Sequence, residues 1–332
     1  MQKRTPTLKD VAADAGLSVS TVSRALAGHP AISSRTKKIV REAADRLQYR
    51  PNAQARALRQ SRTNTIGLVI PHLTNPYFAE LAAAVQQTAL EAGLYTLLGN
   101  SDDDPEQLAR VVQIMRDQRV DGIIAVPHAG SERCLAELDA ALVLVDRELP
   151  DVPATSVSTD PSGGIAAAVE LLVGRGYASI GYLAGPQDTS TGAERLQAFR
   201  DACHHFGIGE QPVYLGGYRE QEGYAGTQQL LQVPVSAIIA GDSMMTIGAL
   251  RACHEGGIRL GRDLGLVGFD DFAVFQLQNP PLTIIDQQVS EMGKRAVEEL
   301  QRILQGDSVA TTIKLPTTLI VRGSTPGQLE GR

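Results

Sequence analysis

A chain of 332 residues, 43% of them hydrophobic and without a low-complexity tract, is long enough for two or three packed domains and excludes a disordered or fibrous protein. The net charge of −6 conceals a division: residues 1–62 hold 13 Lys/Arg against 4 Asp/Glu, and the remainder 18 against 33. A basic head thus joins an acidic body, a layout that suits a polyanion held at one end.

Cys134, Cys203 and Cys253 lie far apart and form no CxxC pair, so neither a zinc site nor a disulfide framework is expected. The first thirty residues lack an apolar core of signal-peptide length, and no run is long enough to span a membrane. A cytoplasmic chain without metal or cofactor is the expectation.

The head opens at Thr7, an N-cap with a carboxylate three residues on at Asp10. Leu8, Val11, Ala12 and Ala15 share one helical face, and Gly16 ends the helix. Ser18 caps a second helix, Val19–Leu26, after a turn so short that the pair reads as a helix-turn-helix. Ile32-Ser33-Ser34 leads into a third helix packed through Thr36, Val40, Ala43, Ala44 and Leu47, with Pro51 barring continuation. Residues 52–59 have high helix propensity but are too short to be stable alone, which marks residues 51–62 as a hinge helix and linker that folds only with a partner.

From Thr65 strand and helix alternate. Ile66–Ile70, Leu94–Leu98, Ile123–Val126 and Leu142–Val145 read as buried strands, with helices at Tyr77–Ala92 and Glu106–Gln118. A second series follows at Ile180–Leu183, Val213–Leu215, Ala237–Ile239, Leu264–Val267 and Thr283–Ile285. So many strands imply two similar parallel α/β lobes in residues 63–332, with a ligand cleft at the strand carboxyl ends. The expected fold class is therefore an all-α helix-turn-helix head, residues 1–50, a hinge and a two-lobed α/β core.

Thr7-Leu8-Lys9-Asp10-Val11-Ala12, Val19-Ser20-Thr21-Val22-Ser23-Arg24, Tyr49-Arg50-Pro51-Asn52 and Ala55-Arg56-Ala57-Leu58 resemble the head of the lactose/galactose repressor family. The resemblance runs on through Asn75-Pro76-Tyr77-Phe78, Asp121-Gly122-Ile123-Ile124, Glu194-Arg195-Leu196 and Gly268-Phe269-Asp270-Asp271, and extends to its ribose-type repressors. It implies a core like the periplasmic binding proteins and a second helix in the DNA major groove, with Val19, Ser20 and Arg24 towards base edges. Arg24 is the expected guanine reader, since its fork matches the N7 and O6 acceptors. Val19 could touch a thymine methyl or pack in the core. Thr7, Ser18, Thr21 and Tyr49 would hold phosphates. Asn52, Ala55 and Leu58 fall in the hinge, where Leu58 would enter the minor groove as an apolar wedge. Two hinges meeting there imply a homodimer on a pseudo-palindromic double-stranded operator.

In the body, polar and aromatic residues at strand ends are the candidates for a hydroxyl-rich effector. Asn75, Tyr77 and Phe78 follow the first strand and Asp146-Arg147 the fourth; Arg195 opens a helix, Tyr218 follows Val213–Leu215, and Asp242, Asp270 and Gln287 end later strands. Each has a plainer alternative: Tyr77 and Phe78 as core, Asp146-Arg147 as a loop ion pair, Asp242 as a helix cap. Together they resemble the layout of ribose-binding relatives, which implies ribose or a related pentose. His72, shortly before Asn75, reads as an ordinary loop histidine or as an added donor to the ligand.

One departure is Gly241-Asp242, where the family usually has Asn before the capping Asp. It implies a missing amide contact that Gly241→Asn would restore, and leaves room for a nucleoside, a purine or a larger sugar. No HExxH, GxSxG or phosphate-loop pattern occurs, so no enzyme is expected. A sugar-binding protein without regulatory role would lack the basic head.

Overall fold

The computed structural model describes residues 6–49, 62–307 and 310–327. The chain divides into two compact units, residues 1–63 and 64–332.

In the first unit, α1 (Leu8–Ala15), α2 (Val19–Leu26) and α3 (Ser34–Arg46) pack around Val11, Ala12, Val22, Ala25, Val40, Ala43 and Ala44. Thr7 and Asp10 cap α1 reciprocally, the Asp10 carboxylate accepting from the Thr7 amide and hydroxyl at 2.7 Å. Gly16 turns the chain out of α1 with φ +63°, a conformation that costs glycine nothing. The Ser18 and Ser33 hydroxyls accept from the amides of Thr21 and Thr36 and start α2 and α3.

The second unit holds two six-stranded sheets. The first runs β11-β5-β4-β3-β1-β2, made of β1 (Thr65–Ile70), β2 (Tyr95–Asn100), β3 (Gly122–Ala125), β4 (Ala141–Val145), β5 (Thr155–Asp160) and β11 (Thr312–Pro316), all parallel. The second runs β12-β10-β9-β8-β6-β7, with β6 (Ile180–Ala184), β7 (Val213–Leu215), β8 (Ala237–Ala240), β9 (Gly265–Phe269) and β10 (Thr283–Asp286) parallel. Only β12 (Thr318–Ile320) is antiparallel, on β10. Helices α4 (Pro76–Glu91), α5 (Pro105–Asp117) and α6 (Glu132–Ala136) join strands of the first lobe; α7 (Ser162–Gly174), α8 (Ser190–His205), α9 (Glu220–Leu230), α10 (Ser243–Glu255) and α11 (Ala273–Gln276) belong to the second.

The lobes are not consecutive in sequence. After β10 the chain returns to the first lobe, where α12 (Val289–Leu304) packs Val289, Met292, Ala296, Val297 and Leu300 into the same core as Ile66, Leu68 and Leu81. It crosses again between β11 and β12. Three strands, β5, β11 and β12, escape the sequence pattern. The first reads Thr-Ser-Val-Ser-Thr-Asp, yet five of its six residues are buried. Its hydroxyls find partners: Thr159 donates to Gln287 at 3.0 Å, and Ser158 to Glu148 at 2.6 Å.

Candidate functional site

Strand ends of both lobes meet at one narrow cleft. All ten body residues singled out in the sequence line it. Two of them occupy matching places: Asp146 follows β4 and Asp270 follows β9, each with a left-handed backbone, φ +69° and +63°. Each donates its amide to the next strand, to Val157 and Ile285 at 2.9 Å, and the left-handed turn sends each carboxyl into the cleft. That conformation costs about 1 kcal/mol, and aspartate is among the few side chains that tolerate it.

Most of the cleft's polar groups satisfy one another, while the buried Nε of Arg147 makes no hydrogen bond. Tyr77 donates to Asp146 at 2.6 Å; Gln287 donates to Asp270 at 2.6 Å. Arg195 reaches the Gly241 carbonyl at 2.8 Å and the Gln287 carbonyl oxygen at 2.7 Å, with its guanidinium 4.7 Å from the Phe269 ring centre and 5.5 Å from that of Tyr218. Asn75 caps α4 through the Tyr77 amide, and Asp242 caps α10 through that of Met245. Tyr77 and Phe78 lie edge to face, 5.0 Å apart, and belong both to the cleft and to the core beneath it. The plainer readings of these residues therefore hold beside the cleft reading: Tyr77 and Phe78 are core, Asp242 is a cap, and Asp146-Arg147 form an ion pair.

His72 also lines the cleft, together with Asp103 and Thr191, which were unforeseen from sequence. Asp103 accepts from Arg147 at 3.0 Å and pairs with His72 at 2.7 Å. Burial works to raise Asp103, but the charge and hydrogen bond of Arg147 outweigh it and hold the carboxyl below its usual range. Buried His128 lies beside the same terminal nitrogen of Arg147, 2.9 Å from it and 3.2 Å from the Asp103 carboxylate. Burial and then the Arg147 charge push His128 down to about 4, so its ring is neutral, accepts from Arg147 on Nδ1 and donates from Nε2 to Ser101 at 2.7 Å. A signal for Asp103 was available: Ser101-Asp102-Asp103-Asp104 follows β2, and strand carboxyl ends are where such clefts collect their side chains.

The Gly241 expectation is corrected. A Cβ there would press on the Leu183 carbonyl oxygen and lie 3.2 Å from the Tyr182 hydroxyl, pointing into the sheet. The side chain of this turn that lines the cleft is Asp242. Gly241→Asn would disturb packing rather than restore an amide contact.

Burial raises Asp242 to about 6 and Asp270 to about 7. Carboxyls whose folded value is raised stabilise the fold most below about pH 4, and that contribution is lost as pH rises towards 7. Lowered His128 opposes this, its contribution being lost as pH falls from 6.5 towards 4. Asp270→Asn is therefore expected to gain stability relative to the native chain by roughly 1–3 kcal/mol between pH 5 and pH 8, read from melts of both proteins. A constant difference across that range would remove Asp270 from the account.

In the head, the α2 surface carries Ser18, Val19, Ser20 and Arg24 exposed, with Thr21 half-buried. Val19 is 41% exposed, which settles its place on the surface rather than in the core. The Arg24 Nε donates to the Ser20 carbonyl at 3.3 Å, extending the side chain along α2. Thr7 is exposed at the start of α1, and Tyr49 is half-buried against the head core. Asn52, Ala55 and Leu58 lie outside the described residues. No helix of the described residues is long and apolar enough to cross a membrane.

Comparison with known proteins agrees with both units. Residues 7–52 match the lacI family of bacterial regulatory proteins, and residues 169–325 a periplasmic binding protein-like domain. The chain is 29% identical to the ribose operon repressor of Escherichia coli (strain K12) over 96% of its own length and 99% of the relative's. Among solved structures, a LacI family transcriptional regulator from Corynebacterium glutamicum is 43% identical, with a TM-score of 0.73 over 79% of this chain and all of that one. The lac repressor dimer bound to operator and the anti-inducer ONPF is 27% identical, with a TM-score of 0.87 over 97% of this chain and 100% of that one. With a helix-turn-helix head and a two-lobed core that match it along the length of the chain, this protein belongs to the lacI family and is a DNA-binding transcriptional regulator, not an enzyme.

Proposed function

We propose that the protein is a repressor that binds a pseudo-palindromic operator as a homodimer and is released from it by a ribose-like pentose. The observation that carries the effector reading is the convergence of all ten candidate residues on one cleft, with aromatic faces from Tyr77, Phe78 and Tyr218 and charged groups from Asp146, Arg147, Arg195 and Asp270. This chemistry suits a small ring dense in hydroxyls. The similarity to a ribose operon repressor supports the same ligand class. A second copy is supported by the edge of the first sheet. There β2 exposes Tyr95 (67%) and Leu98 (42%), and the neighbouring helices expose Leu90 (58%) and Ile114 (57%), more apolar surface than a lone edge strand ordinarily presents.

The test is a binding-site selection from random DNA with the full-length chain, followed by titration of the selected duplex with ribose. Recovery of a two-fold symmetric site and its release by ribose support the proposal; an asymmetric site, or binding that ribose tightens, overturns the corresponding part. Within the same experiment Arg24→Ala is expected to weaken specific binding by about 1–3 kcal/mol and to relax the consensus at one base pair in each half-site. An unchanged consensus would make Arg24 a phosphate contact.

A further inference from the structure

We propose that the cleft rejects anionic ligands, so that the effector is a polyhydroxy molecule without a phosphate or carboxylate. This rests on the reading of the cleft as the effector site and narrows its ligand class to the free sugar or nucleoside rather than its phosphate ester.

Four carboxyl groups, those of Asp103, Asp146, Asp242 and Asp270, face the cleft against two guanidinium groups, Arg147 and Arg195. Each guanidinium already has partners in the cleft, although the buried Nε of Arg147 makes no hydrogen bond. Arg147 is held by Asp103 at 3.0 Å, with Asp146 3.7 Å from its Nε. Arg195 spends both terminal nitrogens on the Gly241 carbonyl and Gln287, and Gln287 in turn donates to Asp270. His128 is neutral, and His72 at the rim already faces Asp102 and Asp103 at 3.2 and 2.7 Å.

Proteins also hold phosphate on the free amides of helix N-termini. At α4, α8 and α10, helices that carry or follow cleft residues, a side chain takes one of the free amides. Asn75 takes the Tyr77 amide at 3.0 Å on α4, Thr189 takes the Gly192 amide at 3.2 Å on α8, and Asp242 takes the Met245 amide at 2.7 Å on α10. At α10 the cap is itself a carboxyl, so a phosphate there would meet like charge within a few ångströms, in a site with little water to screen it. Hydroxyl groups meet the opposite situation, a surplus of carboxyl acceptors for their protons. A regulator so built reports the substrate of a phosphoryl-transfer step and not its product.

The experiment uses the full-length chain with thermal melts and calorimetry. Neutral ligands are paired with their esters: ribose with ribose 5-phosphate, uridine with uridine 5′-monophosphate and glucose with glucose 6-phosphate. Inorganic phosphate is run alone. Any neutral member that binds is expected to do so at least tenfold more tightly than its ester, and millimolar inorganic phosphate to give no stabilisation. An ester that binds more tightly than its parent overturns the proposal, as does stabilisation by inorganic phosphate that Arg147→Gln abolishes. If ribose fails while uridine or glucose binds ahead of its ester, the pentose reading falls and this one stands. Asp103→Asn, which keeps a side chain suited to the left-handed φ of +52°, is expected to narrow the neutral-to-ester ratio severalfold. An unchanged ratio would overturn the electrostatic account.

Discussion

Arg195→Met is expected to weaken effector binding by more than a hundredfold while leaving operator affinity in the absence of effector within a fewfold of the native protein. Arg195 is 5% exposed and joins three parts of the cleft: the end of β8 through the Gly241 carbonyl, the crossing after β10 through Gln287, and the faces of Phe269 and Tyr218. Burial opposes its charge, but the neighbouring Tyr218, Asp146 and Asp270 keep it protonated. Methionine preserves the stem and the helical conformation of α8 while removing every donor. Buried charged hydrogen bonds contribute about 1.5–3 kcal/mol each, and an unpaired buried partner adds a cost of its own. The two donors hold the β8 end and Gln287, contacts of about 3–5 kcal/mol together, so their loss removes the arrangement of the cleft that the effector needs. Calorimetry of effector binding and operator titration at fixed salt read the two sites separately. Effector affinity within threefold of the native value would place Arg195 outside the site.

Val22→Asp is expected to abolish specific operator binding and leave effector binding intact. Val22 has no exposed surface and lies among Val11, Ala25, Val40 and Ala43, in a core whose buried residues are all Val or Ala. So small a unit buries little apolar area and folds with a narrow margin. An unpaired carboxylate in that core costs several kcal/mol, about the whole stability of such a head. The effector core has its own sheets and its own buried clusters, so effector calorimetry on the same preparation should match the native protein. Equal loss at both sites would show that the two units do not fold independently.

The sequence by itself determined the local elements and the identity of the family. Helices of the head were legible because each carries its own cap and its own 3.6-residue apolar face, as Ser18 and Val22 show for α2. The first-sheet strands Thr65–Ile70 and Gly122–Ala125 were legible as short apolar runs between helices, the pattern of strands buried on both faces. The ten cleft residues were legible because family motifs and strand-end positions both pointed to them.

Only the tertiary structure decided what depends on contacts between distant segments. The polar strand β5 is buried because β4 and β11 flank it, and β11 arrives more than 150 residues later. The pairing of Asp103 with Arg147 joins the ends of β2 and β4, which chain order does not bring together. Whether Val19 faced solvent, and whether a side chain at Gly241 would face the cleft or the sheet, turned on backbone direction and on neighbours such as Leu183 and Tyr182. Short-range pattern sets which residues form an element; which face of it meets which partner is set by packing, and packing is settled only when the whole chain has folded.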